Sequence, residues 1–184
     1  VASRRLVRWF SRAWRPAVAV TASGFLGLNT IAFLQAHSLT SYETTAVRVK
    51  NPRHMSAWEK ARLFVFGVTV PRPQNRITPA ERGMEYTVEK FPGAHGLTLE
   101  AWRIPGERNK PVVLLFPGYA ASKQMQLAPA KVFHDLGCET WLVDFHGSGG
   151  SAGSTTTIGF DEAEDVGAAA NFVRQRLAGQ RRPL

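Results

Sequence analysis

An unbroken apolar run from Pro111 to Phe116 is the feature of this sequence that most restricts its fold. A run without polar residues is typical of a β-strand buried on both faces, as found in parallel sheets covered by helices. Residues 124–136 follow as a predicted helix, and residues 139–144 as a second apolar strand. Strand, helix and strand in this order predict an open α/β sheet with parallel neighbouring strands.

Two segments before this run predict an antiparallel hairpin. Residues 84–91 and residues 97–104 alternate between apolar and polar side chains, and a short loop with two glycines separates them. This pattern is typical of two half-buried strands joined by a tight turn. Further along the chain, a loop of small residues over 148–157 precedes a predicted helix over 161–177. The expected fold class is therefore α/β, with an antiparallel hairpin, parallel strands and flanking helices.

The N-terminal part of the chain contains a long segment without charge. No Asp, Glu, Lys or Arg occurs between Pro16 and Tyr42, and residues 16–36 alone are long enough for a helix to cross a bilayer core of about 30 Å. Five arginines precede this segment, and the first acidic residue is Glu43. Such a flank predicts an uncleaved membrane anchor with a cytoplasmic N terminus and an extracytoplasmic domain. A signal peptide, which has a shorter apolar region, and a buried soluble helix are the alternatives.

The formal net charge of +9 does not indicate nucleic-acid binding. Without the five arginines of the first fifteen residues the remaining chain carries +4, so the positive charge belongs mainly to the flank of the apolar segment. The single cysteine, Cys138, excludes an internal disulfide and a multi-cysteine zinc site. We expect Cys138 to be a small buried residue, and we predict neither a metal nor a cofactor.

The region between the apolar segment and the α/β part is predicted to contain one helix and an extended spacer. Ser56 and Glu59 have the spacing of a capping box, which predicts a helix that begins there, runs to about Phe66 and ends at Gly67. Three prolines within residues 70–79 exclude regular helix and central strand. The globular part is expected to begin near residue 83.

Three motifs in this order resemble the α/β-hydrolase superfamily, in particular membrane-anchored bacterial members related to serine aminopeptidases and BEM46-like hydrolases. The first motif is the apolar strand with its following turn, residues 113–119, and the second is residues 143–151, preceded by Gly137. The third is residues 157–159 with Glu162 and Asp165. The resemblance covers about residues 78–184. It implies an incomplete α/β-hydrolase fold and the hydrolysis of an ester, amide or thioester bond of a small acyl substrate, without a cofactor.

The resemblance also implies part of an oxyanion hole after the first buried strand. It assigns the backbone N–H of Tyr119 as a donor to the negative oxygen of the tetrahedral intermediate, with Gly118 allowing close approach. Pro117 stands where family members often have histidine. A plain strand-to-helix turn that needs a glycine is the alternative.

The loop after the second strand contains a misleading motif. Residues 149–153 fit G-x-S-x-G, but a nucleophile elbow places its serine at the tip of a strand, directly before a helix. Ser151 instead follows Asp144 by seven residues. The resemblance makes this loop a D-x-R-G-x-G-x-S segment, with His146 where arginine is common. We interpret Asp144 and Ser151 as structural, and we expect His146, a loop histidine without an evident partner, to be solvated.

A complete catalytic triad is not expected in this chain. The hydrolase triad runs serine, acid, histidine, whereas every histidine precedes Ser151. The resemblance places the next strand near residues 181–184 and the nucleophile, acid and histidine beyond Leu184. The prediction is a bacterial inner-membrane hydrolase in a truncated, inactive form, and the alternative is a non-catalytic anchored α/β module. Its parts are residues 1–42 (basic flank and transmembrane anchor), 43–82 (helix and spacer) and 83–184 (N-terminal half of the hydrolase domain).

Overall fold

The structure is a computed structural model, and it describes residues 2–45 and 52–178. The predicted strand start at residues 181–184 lies outside the described residues. The chain divides into two compact units. The helical unit comprises Val1–Leu39 and Lys50–Val68, and the sheet unit comprises Thr40–Val49 and Thr69–Leu184.

The helical unit contains two α-helices, α1 (Ala2–Thr40) and α2 (Ala57–Phe66). A 3-10 turn, Pro52–His54, lies before α2. Within α1 the stretch Trp14–Thr40 has a mean hydropathy of 1.7, and none of its apolar window is buried. This makes it long and apolar enough to cross a membrane, although a signal sequence would have the same properties.

The capping box at the start of α2 is confirmed. The Ser56 hydroxyl accepts a hydrogen bond from the Glu59 amide at 3.2 Å, and the Glu59 carboxylate accepts one from the Ser56 amide at 2.7 Å. The helix ends at Gly67, as predicted. The Gln35 side chain of α1 donates to the Phe64 carbonyl at 2.5 Å and to the Leu63 carbonyl, which also accepts the Gly67 amide, at 3.0 Å. Helix α1 thus supplies a donor to the carbonyl groups of the last turn of α2.

The sheet unit begins with a small two-stranded sheet. Strand β1 (Tyr42–Glu43) pairs in parallel with β2 (Val70–Pro71). The proline-rich segment is extended, as predicted, and it belongs to the sheet unit, ending in a 3-10 turn at Pro79–Arg82. The three-part division of the chain stays a prediction.

Among the described residues, the main sheet has four strands in the order β3-β4-β6-β5. The predicted hairpin is confirmed as β3 (Thr87–Pro92) and β4 (Thr98–Ile104), which are antiparallel and joined through a 3-10 turn at Ala94–Gly96. Strands β5 (Val112–Leu115) and β6 (Glu139–Val143) are parallel neighbours, so both predicted apolar strands belong to one sheet.

The burial predicted for the apolar run is only partly correct. Val112 is buried, whereas the other three residues of β5 are half-buried. The reason is that β5 is the edge strand of the described sheet and pairs with β6 on one side only. The apolar composition therefore identified β5 as a strand of the sheet. It did not show whether β5 pairs with a neighbouring strand along one edge or along both.

One α-helix packs on each face of the sheet. Helix α3 (Leu127–Asp135), introduced by a 3-10 turn at Lys123–Gln126, packs with Trp102, Ile104 and Leu142. Helix α4 (Phe160–Arg176) packs on the other face against Phe91, Leu99, Ala101, Trp141 and Val143. These two apolar clusters form the core and give the helix-covered sheet that the sequence predicts.

Candidate functional site

A pocket of about 340 Å³ lies beyond the carboxyl ends of β5 and β6. Parallel strands bring the loops that follow them to the same edge of a sheet, where α/β proteins bind their ligands. Residues after β5, after β6 and at the start of α4 form most of its wall. The lining residues are Tyr42, Pro117, Gly118, Tyr119, Ala121, Phe145, His146, Ser148, Thr156, Ile158, Gly159, Glu162, Ala163 and Val166.

The two residues of the predicted oxyanion hole, Gly118 and Tyr119, both line this pocket. A Cβ atom added at Gly118 would meet nothing within 4 Å, so the space beside its backbone is open. The next residue, Ala120, has a φ of 51° and donates its amide to the Tyr42 hydroxyl at 3.3 Å. The turn is therefore held at the pocket, and the role of the Tyr119 amide stays a prediction.

Two phenol groups lie at this end of the pocket. Burial raises the pKa of Tyr42, and the hydrogen bonds to the Ala120 amide and the Thr156 side chain offset this only in part. Burial also raises the pKa of Tyr119, and the neighbouring Tyr42 adds to the rise. Both phenols are therefore neutral at physiological pH and contribute hydroxyl groups rather than negative charge.

The expectation of a solvated His146 is wrong. The residue is 5% exposed, and its ring Nδ1 lies 2.6 Å from Oδ2 of the fully buried Asp165. The His146 amide donates to the same carboxylate oxygen at 3.0 Å, and the Ala94 amide donates to Oδ1 at 3.2 Å. The physical reason is that Asp165 lies on the buried face of α4, opposite the loop that follows β6.

Glu162 organises the loop that forms another side of the pocket. Its carboxylate accepts hydrogen bonds from the Thr156 hydroxyl at 2.5 Å, the Thr157 hydroxyl at 2.9 Å and the Gly159 amide at 2.7 Å. Burial would raise the pKa of Glu162, but these hydrogen bonds outweigh it and lower the pKa to about 2. Glu162 is therefore a charged cap of α4, and its Oε1 lies 3.7 Å from Nε2 of His146.

The structural interpretation of Ser151 is confirmed. Ser151 is 2% exposed, donates its hydroxyl hydrogen to the Asp144 carbonyl at 2.8 Å and accepts from the Glu100 amide at 2.9 Å. It lies in the loop after β6, seven residues beyond Asp144, and no helix begins directly after it. The serine of this G-x-S-x-G sequence therefore has a structural role, because its hydroxyl group bridges the backbone of β4 and the backbone at the end of β6.

Asp144 is also structural, and it has a partner that the sequence analysis missed. The Lys123 ammonium group, fully buried, lies 2.5 Å from Asp144 Oδ2 and 2.8 Å from Glu100 Oε1. Asp144 also accepts hydrogen bonds from the Asn75 side chain at 2.7 Å and from the Gly150 amide at 2.9 Å. This ionic cluster joins the extended segment, β4 and the loop after β6 just below the pocket edge of the sheet.

The glycines of the same loop allow its sharp turn. Gly147 has a φ of 77°, and a Cβ atom on it would lie 2.2 Å from the Thr155 carbonyl oxygen. A side chain at Gly149, where φ is 50°, would meet the Asp144 carboxylate at 1.9 Å. Only glycine fits either position, which explains the small-residue composition of the loop.

Neither a metal site nor an exposed thiol occurs in the part of the chain that the structure describes. Within residues 2–45 and 52–178, no group of three or more His, Cys, Asp or Glu residues could hold a metal ion. Cys138 is buried and free, as predicted.

The fold and the pocket position together define an α/β-hydrolase type of structure. The esterase Pf2001 of Pyrococcus furiosus is similar, with a TM-score of 0.51 and 27% identity over 59% of this chain and 43% of the esterase. A second crystal form of that esterase gives a TM-score of 0.51 with 26% identity over 57% and 41% of the two chains. The α/β hydrolase GrgF from Penicillium sp. sh18 has a TM-score of 0.43 with 24% identity over 52% and 33%.

The chain spans about 43% of the length of the esterase that it matches. No protein-family model matches the chain, and no curated protein sequence matches it. The similarity supports the α/β-hydrolase superfamily and an incomplete α/β-hydrolase fold.

Proposed function

We propose that this chain is the membrane-anchored N-terminal part of a serine hydrolase, related to serine aminopeptidases and BEM46-like hydrolases, that cleaves an ester, amide or thioester bond. The observation that carries the proposal is the pocket at the carboxyl ends of β5 and β6, with Gly118 and Tyr119 in its wall. Similarity to an esterase at 27% identity supports the reaction class. The nucleophile, acid and histidine would come from sequence beyond Leu184.

The Tyr119 backbone N–H would act as an oxyanion-hole donor in this hydrolase. Acyl transfer places negative charge on the carbonyl oxygen, and a fixed N–H donor at that position contributes about 3–4 kcal/mol to transition-state stabilisation. The open space beside Gly118 supports the proposal, because a substrate carbonyl can approach the backbone there.

The anchor would be the apolar part of α1, with the domain outside the inner membrane of a bacterium. Thr21, Asn29 and Thr30 each donate to the carbonyl four residues earlier, at 2.8–2.9 Å, which lowers the cost of placing these side chains in a bilayer. In α2, Trp58 is 78% exposed and Phe64 70%, as expected of aromatic residues that sit in a membrane interface. Alkaline phosphatase fused after residue 178 should be active in intact bacteria, and an inactive fusion would contradict this orientation.

The reaction is tested with a longer form that includes the sequence encoded after Leu184. We expect a fluorophosphonate probe to label a serine of a G-x-S-x-G elbow in the longer form and no serine in the 184-residue chain. Tyr119→Pro, which removes the backbone donor, should lower kcat about 10²–10³-fold, whereas Tyr119→Phe keeps the donor and serves as the control. A longer form without a labelled serine would overturn the proposal.

A non-catalytic anchored α/β module is the second candidate. It is favoured by the observation that His146, Asp165 and Ser151 are all held in structural hydrogen bonds. The same labelling experiment separates the two candidates, because this module would have no reactive serine in any form.

A further inference from the structure

The pocket begins almost directly where the apolar helix ends. The candidate membrane-spanning stretch ends at Thr40, and Tyr42 is part of the pocket wall. A chain extends at most about 3.6 Å per residue, so covalent connection alone keeps Tyr42 within about 11 Å of Leu39. Only Thr40 and Ser41 lie between Leu39 and Tyr42 in the sequence.

The connection itself is hydrogen-bonded to the pocket loop. The Thr40 carbonyl accepts from the Thr156 amide at 2.9 Å, and the Tyr42 amide donates to the Ser154 carbonyl at 2.7 Å. Tyr42 also accepts from the Ala120 amide through its hydroxyl group. Since Tyr42 and Thr156 both line the pocket, the residues that leave α1 are part of the wall.

The pocket has an apolar and exposed rim. Phe145 and Val166 line its interior, and Ile158 on its wall is 59% exposed. Phe160, two residues further on, is 78% exposed. Exposed apolar side chains beside the opening of a pocket are suited to contact an apolar ligand that enters it.

Ile158 carries a further sign of a contact role. Its φ of 56° lies in the left-handed region, which is unfavourable for a β-branched residue. Ile158 keeps this unfavourable backbone conformation although its side chain is not buried. Residues with strained backbone conformations are concentrated at ligand sites. An apolar ligand covering Ile158 would account for its exposed apolar side chain.

We propose that the pocket takes the acyl chain of a lipid ester directly from the membrane in which α1 is anchored, rather than a water-soluble ester. This inference rests on the proposed function. The polar side chains His146 and Glu162 in the wall are engaged with Asp165 and with the loop before α4, so the surface that the pocket offers to a ligand is mainly apolar. Its volume of about 340 Å³ is within the range of small-molecule sites, roughly 300–1,000 Å³.

The test uses the full 184-residue chain in vesicles of palmitoyl-oleoyl phosphatidylethanolamine and phosphatidylglycerol. The vesicles contain a phosphatidylcholine with a diazirine at the end of one acyl chain, and a parallel sample receives a water-soluble butanoyl ester with the same group. After illumination, mass spectrometry locates the labelled peptides. We expect the lipid probe to label residues 117–121 or 156–166 as well as α1, and the soluble probe to label the pocket weakly.

Two pocket variants and one control establish where the lipid lies. Ala163→Trp fills the pocket and should abolish the labelling of the pocket peptides, whereas Asn171→Trp, on the exposed side of α4, should leave it unchanged. Ile158→Asp places a polar residue on the rim at a φ that aspartate tolerates better, so it should reduce pocket labelling without threatening the fold.

Labelling of α1 is the internal measure of insertion. Labelled α1 with unlabelled pocket peptides, or equal pocket labelling by the soluble probe, would overturn the lipid inference. Pocket labelling that Ala163→Trp does not reduce would also overturn it. Because the experiment needs no catalysis, absence of a reactive serine in the longer form would leave its outcome unchanged.

Discussion

Nδ1 of His146 lies 2.6 Å from Oδ2 of Asp165, and the backbone amide of His146 donates to the same oxygen at 3.0 Å. The two residues are nineteen positions apart in sequence and join the loop after β6 to α4. Because His146 lines the pocket, this pair fixes one side of the candidate site while Glu162 fixes another. The pocket wall is thus held by buried carboxylates of one helix.

Asp165→Ala should destabilise the protein by about 2–4 kcal/mol, because it leaves the buried His146 and the Ala94 amide without their acceptor. For a chain of this size that corresponds to a fall in Tm of about 4–16 °C, measured by thermal unfolding of the full chain in detergent. Asp135→Ala is the control, since the ion pair of Asp135 with Lys131 is exposed and should contribute little. Equal effects of both variants would contradict the assigned role of the His146–Asp165 pair.

Lys123→Met should cost about 3–5 kcal/mol, because it removes the ammonium partner of the fully buried Asp144 carboxylate, whereas Glu100 keeps its ion pair with Lys90. The matched control is Lys131→Met on the exposed side of α3, with an expected effect below about 0.5 kcal/mol. Urea unfolding of both variants in detergent measures the difference. A Lys123→Met protein as stable as the control would show that the ionic cluster does not stabilise the fold.

The elements of the sheet could be predicted from the sequence because each has a local signal. Alternation marked the hairpin, the apolar run marked β5, and the acids and arginines at its ends marked α4. The edge position of β5 could not be predicted, since a strand's own residues do not show which strands pair with it.

The contacts of the site were harder to predict. A lysine in the first turn of a helix is usually exposed, so nothing in the sequence indicated that Lys123 is buried. The partner of His146 did have a signal. Glu162 and Asp165 share the helix face of Ala169 and Val173, and acids on a buried face require partners.

Glu162 should make stability depend on pH in the acid range. The pKa of Glu162 falls from 4.5 to about 2 on folding, so its contribution is fully present above about pH 4.5 and is lost as the pH falls toward about 2. Each unit of the difference corresponds to about 1.4 kcal/mol. Glu162→Gln should therefore be less stable at pH 7 and lose less stability on acidification.

Urea unfolding at a series of pH values measures the effect of Glu162. Glu164→Gln, which alters an exposed carboxylate one turn away from the pocket loop, is the control and should follow the unmodified chain. If the free energy of unfolding of Glu162→Gln fell with decreasing pH as it does in the unmodified chain, the acid sensitivity would come from other carboxylates.

Ser151→Ala separates the structural interpretation of this serine from a catalytic one. The substitution leaves the Glu100 amide without its acceptor in a buried position, so we expect a loss of about 1–3 kcal/mol in the free energy of unfolding. Ser154→Ala, at an exposed position of the same loop, should be nearly neutral.

In the longer form, neither substitution should remove the serine that reacts with fluorophosphonate, because the Ser151 hydroxyl is 2% exposed and its hydrogen is directed to the Asp144 carbonyl. Ester hydrolysis by the 184-residue chain that disappears in Ser151→Ala would assign the catalytic nucleophile to this loop and overturn the elbow expected beyond Leu184.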